Sequence, residues 1–141
     1  MSVNIDGMYI VTKAVLDNMI MNKSGIIDIA SGAGLIGGGG DRYTTSKHAA
    51  IGFTRQINAV LEQQGIRANA IAPGLIQTPM VQDLINDKDS GIMETLKKIP
   101  AGRYGQPDEV ADTALFLASK DSKYIYRAVI PVDGGLLSTL R

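Results

Sequence analysis

A tyrosine and a lysine stand four residues apart in Tyr43-Thr44-Thr45-Ser46-Lys47. On a helix that spacing places both side chains on one face, a turn apart. A free phenol ionises near pH ~10, too high for base work at neutral pH. A neighbouring ammonium favours the phenolate and lowers that value, so the pair can act as a general acid or base. The same spacing also fits the solvated face of an amphipathic helix, and such pairs are common. Their surroundings decide between the two. Ser31 ends an apolar run, Ile26-Ile27-Asp28-Ile29-Ala30, and offers a hydroxyl that could hydrogen-bond an oxygen on which charge develops.

The elements that must position these residues alternate between helix and strand. Met8, Val11, Val15 and Met19 recur at helical spacing, which predicts an amphipathic helix from about Ser2 to Asn22, stopped by Gly25. Ile26–Ala30 reads as a short buried parallel strand, followed by a glycine-rich loop from Gly32 to Gly40. A second helix starts near Arg42, carries Ala49, Ala50, Phe53, Ile57, Val60 and Leu61, and ends at Gly65. Arg67–Ala72 is a second strand. Thr78 to Lys98, polar and broken by Gly91, reads as two short helices over a pocket. Pro107 opens a third long helix with Asp108 and Glu109 in its first turn. Its expected apolar face is Val110, Ala111, Ala114, Leu115 and Leu117. Ala128–Val132 is the last strand, stopped by Asp133-Gly134-Gly135. Helices between strands predict an α/β fold of three parallel strands with right-handed crossovers. Parallel strands end on one edge, where ligands bind. Ser31, Pro73-Gly74 and Asp133-Gly134-Gly135 should meet there.

Composition narrows the function classes. The 141 residues hold one domain's worth of core. Fourteen basic and 14 acidic side chains balance, which leaves no basic excess for a nucleic acid or a membrane surface. There is no cysteine, so disulfides and thiolate metal sites are out. No His, Asp or Glu cluster has metal-ligand spacing, so no metal is expected. No signal peptide is read at Met1-Ser2-Val3-Asn4, and the stretch from Met8 to Met21 is too short and polar to span a bilayer. A cytoplasmic protein is the expectation.

With Tyr43 and Lys47 at a helix start beyond a strand ending in Ser31, three further stretches carry a resemblance. They are Asn69-Ala70-Ile71-Ala72-Pro73-Gly74-Leu75-Ile76-Gln77-Thr78-Pro79-Met80, Gly102-Arg103-Tyr104-Gly105-Gln106-Pro107 and Val132-Asp133-Gly134-Gly135. Together they resemble the short-chain dehydrogenase/reductase family over essentially the whole chain. The resemblance implies a single partial domain, 1–141: the C-terminal, catalytic half of a Rossmann-type doubly wound sheet. It implies an oxidoreductase interconverting a secondary alcohol and a ketone with NAD or NADP. Tyr43 would exchange the proton at the substrate oxygen. Lys47 would lower the pKa of Tyr43 and hold the nicotinamide ribose, and Ser31 would bind the substrate oxygen. Asn4 matches the family's fourth catalytic residue, which holds a water leading from the lysine to solvent; it equally fits a helix-start cap. Pro73, Gly74, Ile76 and Thr78 match the loop at the nicotinamide end, and Thr78 equally fits an N-cap. A small alcohol or ketone substrate and a homo-oligomer are the implied partners, with no nucleic acid and no membrane.

Gly32-Ala33-Gly34-Leu35-Ile36-Gly37 is a literal Gly-x-Gly-x-x-Gly after a strand. A phosphate fingerprint needs a helix opening inside it and an acidic residue at the next strand end. Here three more glycines follow and the position about twenty residues on is mid-helix, so a substrate-pocket loop is the expectation. The family's own phosphate fingerprint and central strands have no counterpart in this sequence. Two expectations follow: a chain inactive by itself, and an unpaired edge on the strand Ile26–Ala30 that pairs with another chain or aggregates. Alternatives to catalysis are a fragment without activity and an interaction module using that edge. Arg127 stands where the family usually has glycine in a turn, and is strained if that turn needs positive φ.

Overall fold

The computed structural model describes residues 2–87 and 89–138. Its elements are α1 (Asp6–Asn22), β1 (Gly25–Ile29), α2 (Ala33–Ile36), α3 (Asp41–Leu61), β2 (Arg67–Pro73), α4 (Pro79–Asn86), α5 (Ile92–Lys97), α6 (Pro107–Ala118) and β3 (Val129–Val132). The three strands form one parallel sheet in the order β1-β2-β3. The expected α/β class and crossover order therefore hold.

β2 is the centre of the molecule. Ala68, Ala70, Ile71 and Ala72 are fully buried, as a strand covered on both faces requires. Small alanines let the helices approach closely. On one face, Ala70 packs with Ala50 and Ile51 of α3, and Thr54 of α3 donates to buried Asp28 of β1 at 2.6 Å. On the other face, the Arg67 guanidinium reaches the Leu117 carbonyl at the end of α6, 3.0 Å away. Buried asparagines finish the backbone pairing. Asn58 Oδ1 accepts from the Ala68 amide at 2.8 Å, and Asn69 Oδ1 accepts from the Ala128 amide at 2.9 Å.

Several boundaries differ from expectation for identifiable reasons. α1 begins at Asp6, because 2–5 form turns. It is stopped by Lys23 in the left-handed region (φ 49), whose neighbour Ser24 donates back to the Met19 carbonyl. Gly25 is instead the first residue of β1. Ala30 lies just past β1, and Ala128 just before β3. α3 starts at Asp41, after Gly40 at φ 79. The loop expected over 32–40 contains the one-turn helix α2. The stripe on α1 is only partly covered: Met19 is buried, whereas Val11 and Val15 are 63% and 43% exposed. On α6, Leu117 is buried, Val110 and Ala114 are half-buried, and Ala111 and Leu115 are exposed. Both stripes are real, but part of each has no cover among the described residues.

Candidate active site

The carboxyl ends of the strands do converge. The Gly32 amide donates to the Pro73 carbonyl at 2.9 Å, joining the turn after β1 to the end of β2. The Gly74 amide donates to Val132 at 3.0 Å, and a Cβ on Gly74 would sit 2.8 Å from the Asp133 backbone. Glycine is what allows that approach.

Ser31 stands half-buried on this edge, and its Oγ accepts from the Ala33 amide at 3.2 Å. That bond starts α2, whose Gly34 lies against the Lys47 backbone, so the turn bearing Ser31 and the helix bearing Lys47 are in register. Tyr43 occupies the first turn of α3 and is 42% exposed. Lys47 follows one turn later, with Nζ 5.6 Å from the centroid of the Tyr43 ring, within cation–π range. The same Nζ donates to the Ile29 carbonyl at 2.9 Å. One ammonium therefore ties the end of β1 to the tyrosine. Burial pushes the Lys47 pKa below its ordinary value, since desolvation penalises the charged form.

Asn4 is not a helix cap. The N-cap of α1 is Ile5, with no side-chain cap. Asn4 Nδ2 instead donates to Ser46 Oγ at 3.0 Å, and Ser46 Oγ donates to the Tyr43 carbonyl at 2.7 Å. This relay joins the start of α1 to the turn carrying Tyr43 and Lys47. Ser46, 2% exposed, passed unnoticed in the sequence as a spacer between them. The available signal was a small hydroxyl three residues after the tyrosine, able to bond back to its carbonyl. Gly39 was also missed: a Cβ there would lie 2.6 Å from Tyr43 Cδ1, so the glycine loop rests on the tyrosine ring.

The second group of predicted residues forms a separate turn. Ile76 bridges Gly105, the Gly105 amide donates to Leu75 at 2.9 Å, and the Gln77 amide donates to Gly105 at 2.8 Å. Thr78 is the N-cap of α4, accepting from the Val81 amide at 3.4 Å, with Pro79 at the first helical position. Gly32–Pro73 pairing brings this turn to the Ser31 edge, while Ile76 and Thr78 are held by their own loop.

The Gly-x-Gly-x-x-Gly has no amides to spare. Gly32 donates to Pro73, Ala33 to Ser31 Oγ, Gly34 to the Ser31 carbonyl, Leu35 and Ile36 to Gly32, and Gly37 to Ala33. A phosphate cradle needs free N–H groups, so the segment serves as a wall rather than an anion site. Among the described residues, no group of three or more His, Asp or Glu could hold a metal, and no helix is long and apolar enough to cross a membrane.

This chain matches known proteins over nearly all of its length. Residues 1–137 match the family model described as enoyl-(acyl carrier protein) reductase. A 3-oxoacyl-(acyl-carrier-protein) reductase of Thermotoga maritima is 41% identical over 138 residues, 96% of this chain and 55% of the relative. A 2-dehydro-3-deoxy-D-gluconate 5-dehydrogenase of Bacillus subtilis is 41% identical over 98% of this chain and 55% of its own length. A gluconate 5-dehydrogenase of Burkholderia cenocepacia, solved with NADP and tartrate, superposes with a TM-score of 0.91 at 35% identity, covering 99% of this chain and 55% of that one. The chain spans about half the length of the curated relatives it matches. Sheet order, strand-end convergence and similarity across 1–137 all agree: this chain belongs to the short-chain dehydrogenase/reductase family.

Proposed function

We propose that this chain is the proton-handling half, over 1–141, of an NAD(P)-dependent oxidoreductase that interconverts a secondary alcohol and a ketone. The observation that carries the reading is the placement of Lys47 Nζ, bonded to the β1 end at 2.9 Å and 5.6 Å from the Tyr43 ring. With that cation beside its ring, Tyr43 exchanges a proton with the substrate oxygen. Ser31 hydrogen-bonds that oxygen as charge develops on it. Asn4, anchored through Ser46, holds a water between Lys47 and solvent.

The residues fit a nicotinamide cofactor. Lys47 carries three N–H donors, and one of them goes to Ile29, which leaves donors for the hydroxyls of a ribose. Pro73, Gly74, Ile76 and Thr78 form a turn at the same strand ends and contact the nicotinamide end. When bound, the cofactor supplies or accepts hydride. The amides at 32–37 are committed to internal bonds, so that segment would not hold the phosphates of the cofactor. Three of the matched structures carry NADP and another carries NADH, which supports a nicotinamide dinucleotide without choosing between NAD and NADP. Ala33, Leu35, Ile36 and Met80 favour an apolar alcohol or ketone. The apolar groove among Met8, Tyr9, Ile10 and Phe53 supports self-association, and the balance of 14 basic and 14 acidic side chains gives no electrostatic footprint for a nucleic acid or an anionic membrane surface.

Tyr43→Phe tests the reading in this chain fused to the part of the Thermotoga maritima reductase that it does not match. Ketone reduction, followed by NAD(P)H absorbance, is expected to fall at least ~100-fold, with cofactor affinity within about threefold. Turnover equal to the unsubstituted fusion would remove Tyr43 from proton transfer.

A further inference from the structure

Four glycines run from Gly37 to Gly40, between Ser31 and Tyr43, and they serve two different ends. Gly37, Gly38 and Gly40 adopt φ of 89, 95 and 79, and a Cβ on any of them would meet nothing within 4 Å. They turn the chain, which is what glycine permits at positive φ. Gly39 is the exception. Its φ is not positive, so the reason for glycine there is steric. A Cβ at 39 would stand 2.6 Å from Tyr43 Cδ1, 3.3 Å from Tyr43 Cε1 and 3.1 Å from Ala33 Cβ.

The strap is not free to lift away from the ring. The Gly39 amide donates to Thr44 Oγ1 at 3.2 Å, and the Thr44 amide donates to the Gly40 carbonyl at 2.9 Å. Thr44 follows Tyr43 in the first turn of α3, so the strap is tied to the same turn that carries the ring. On its other side stands Ala33, which opens α2 and donates to Ser31 Oγ. One edge of the tyrosine ring, Cδ1 and Cε1, therefore lies against tethered backbone, while Lys47 Nζ stands 5.6 Å from the ring centroid.

We infer that Gly39 is a positioning residue for Tyr43: the strap is a backbone rest whose missing side chain sets the tilt of the phenol, and with it the point where the hydroxyl meets a substrate oxygen. This inference rests on the acid–base reading of Tyr43. Its magnitude follows from the contact. Carbon atoms pack at about 3.5–4.0 Å, so a methyl group at 39 displaces the ring edge by about 1 Å. A misplacement of that size costs ~100-fold in a reaction that needs aligned groups.

The ring position is read in the full chain by fluorine NMR with fluorotyrosine, the Tyr43 line being the one that Tyr43→Phe removes. Gly39→Ala is expected to move that line by more than its width. Gly52→Ala, in the same helix and with nothing within 4 Å of its Cβ, is expected to leave it in place. In the fusion to the unmatched part of the Thermotoga maritima reductase, Gly39→Ala is expected to lower kcat for ketone reduction ~100-fold, with the KM for NAD(P)H within about threefold. If Gly39→Ala is unfolded by circular dichroism, Thr44→Val takes its place. It keeps the side-chain size, removes the acceptor of the Gly39 amide, and is expected to move the same line and lower kcat at least ~10-fold. Three results would overturn the proposal: a Tyr43 line that stays put in the folded variant, a line that moves as far in Gly52→Ala, or a moved line with kcat unchanged. Failure of the acid–base reading shows separately, as a fusion whose kcat Tyr43→Phe leaves unchanged.

Discussion

Arg127 adopts φ 57, a region that costs an L-residue about 1–2 kcal/mol. It cannot relax locally. Its amide donates to the Ala68 carbonyl at 3.0 Å, and the next amide, of Ala128, donates to buried Asn69 Oδ1 at 2.9 Å. Turning φ negative would break both bonds where β3 begins. The side chain offers partial compensation through an ion pair to Glu62 at 2.9 Å. With the partners 46% and 37% exposed, that pair contributes only about 0.2–1 kcal/mol.

Two substitutions separate backbone from charge. Arg127→Ala keeps the strain and loses the ion pair, so it is destabilised by about the ion-pair value. Arg127→Gly loses the same ion pair but removes the strain, less the ~0.4–1 kcal/mol of unfolded-state entropy that glycine adds. The glycine variant should therefore be more stable than the alanine variant by ~1 kcal/mol and lie near the unsubstituted protein. Urea unfolding of all three proteins, in low salt and in ~1 M salt, is the assay. Salt should erode the advantage of the arginine over the alanine and leave the glycine–alanine gap unchanged. Equal stability of the two variants would refute the strain.

Two other interior groups have calculable consequences. Burial raises the Asp28 carboxyl above its ordinary 3.8, against the lowering effect of the Thr54 hydrogen bond. An acid raised on folding contributes stability in full below 3.8 and loses it as pH rises through the folded value. At neutral pH the carboxylate therefore opposes folding. Asp28→Asn keeps an acceptor for the Thr54 hydroxyl and should be more stable than the parent in urea at neutral pH, the gap closing as pH falls toward 3.8; no gap at neutral pH would contradict this. Asn69, 1% exposed, donates to the Ile125 carbonyl at 3.1 Å and accepts from Ala128. Asn69→Ala orphans both groups and should cost ~2–4 kcal/mol by urea unfolding; a loss under about 1 kcal/mol would mean that water replaces the side chain.

What was legible in the sequence was local. The run Ile26–Ala30 and the breaks at Gly65 and Asp133 mark strands and turns because patterning and turn chemistry act over a few residues. α2 was illegible because glycine at 32, 34 and 37 signals a loop; the turn is held by Ser31 and by packing of Gly34 on α3. The stop of α1 was misplaced because lysine carries no left-handed preference; the Lys23 and Ser24 bonds to Ile20 and Met19 decide it. Tyr43 and Lys47 could be paired from spacing, whereas the Asn4–Ser46 bond spans 42 residues and has no sequence period to reveal it.

Hydrophobic periodicity shows that a face needs cover, but not what provides it. Val11 and Val15 of α1 fit the helical period as well as Met19 does, yet only Met19 finds a core, with Leu61 and Ile66. The uncovered part lies beside the proposed site. Asn4 and Lys47 line the same groove as Val11 and Val15, and Lys47 already bonds an outward carbonyl of β1. Whatever fills that groove excludes water from one flank of the ammonium and fixes the strand to which it is tied. Desolvation would deepen the depression of the Lys47 pKa, and a fixed strand would narrow the positions Nζ can take around Tyr43. Covering the groove would thus act on the lysine of the proposed acid–base pair, through the Ile29 carbonyl that it already reaches.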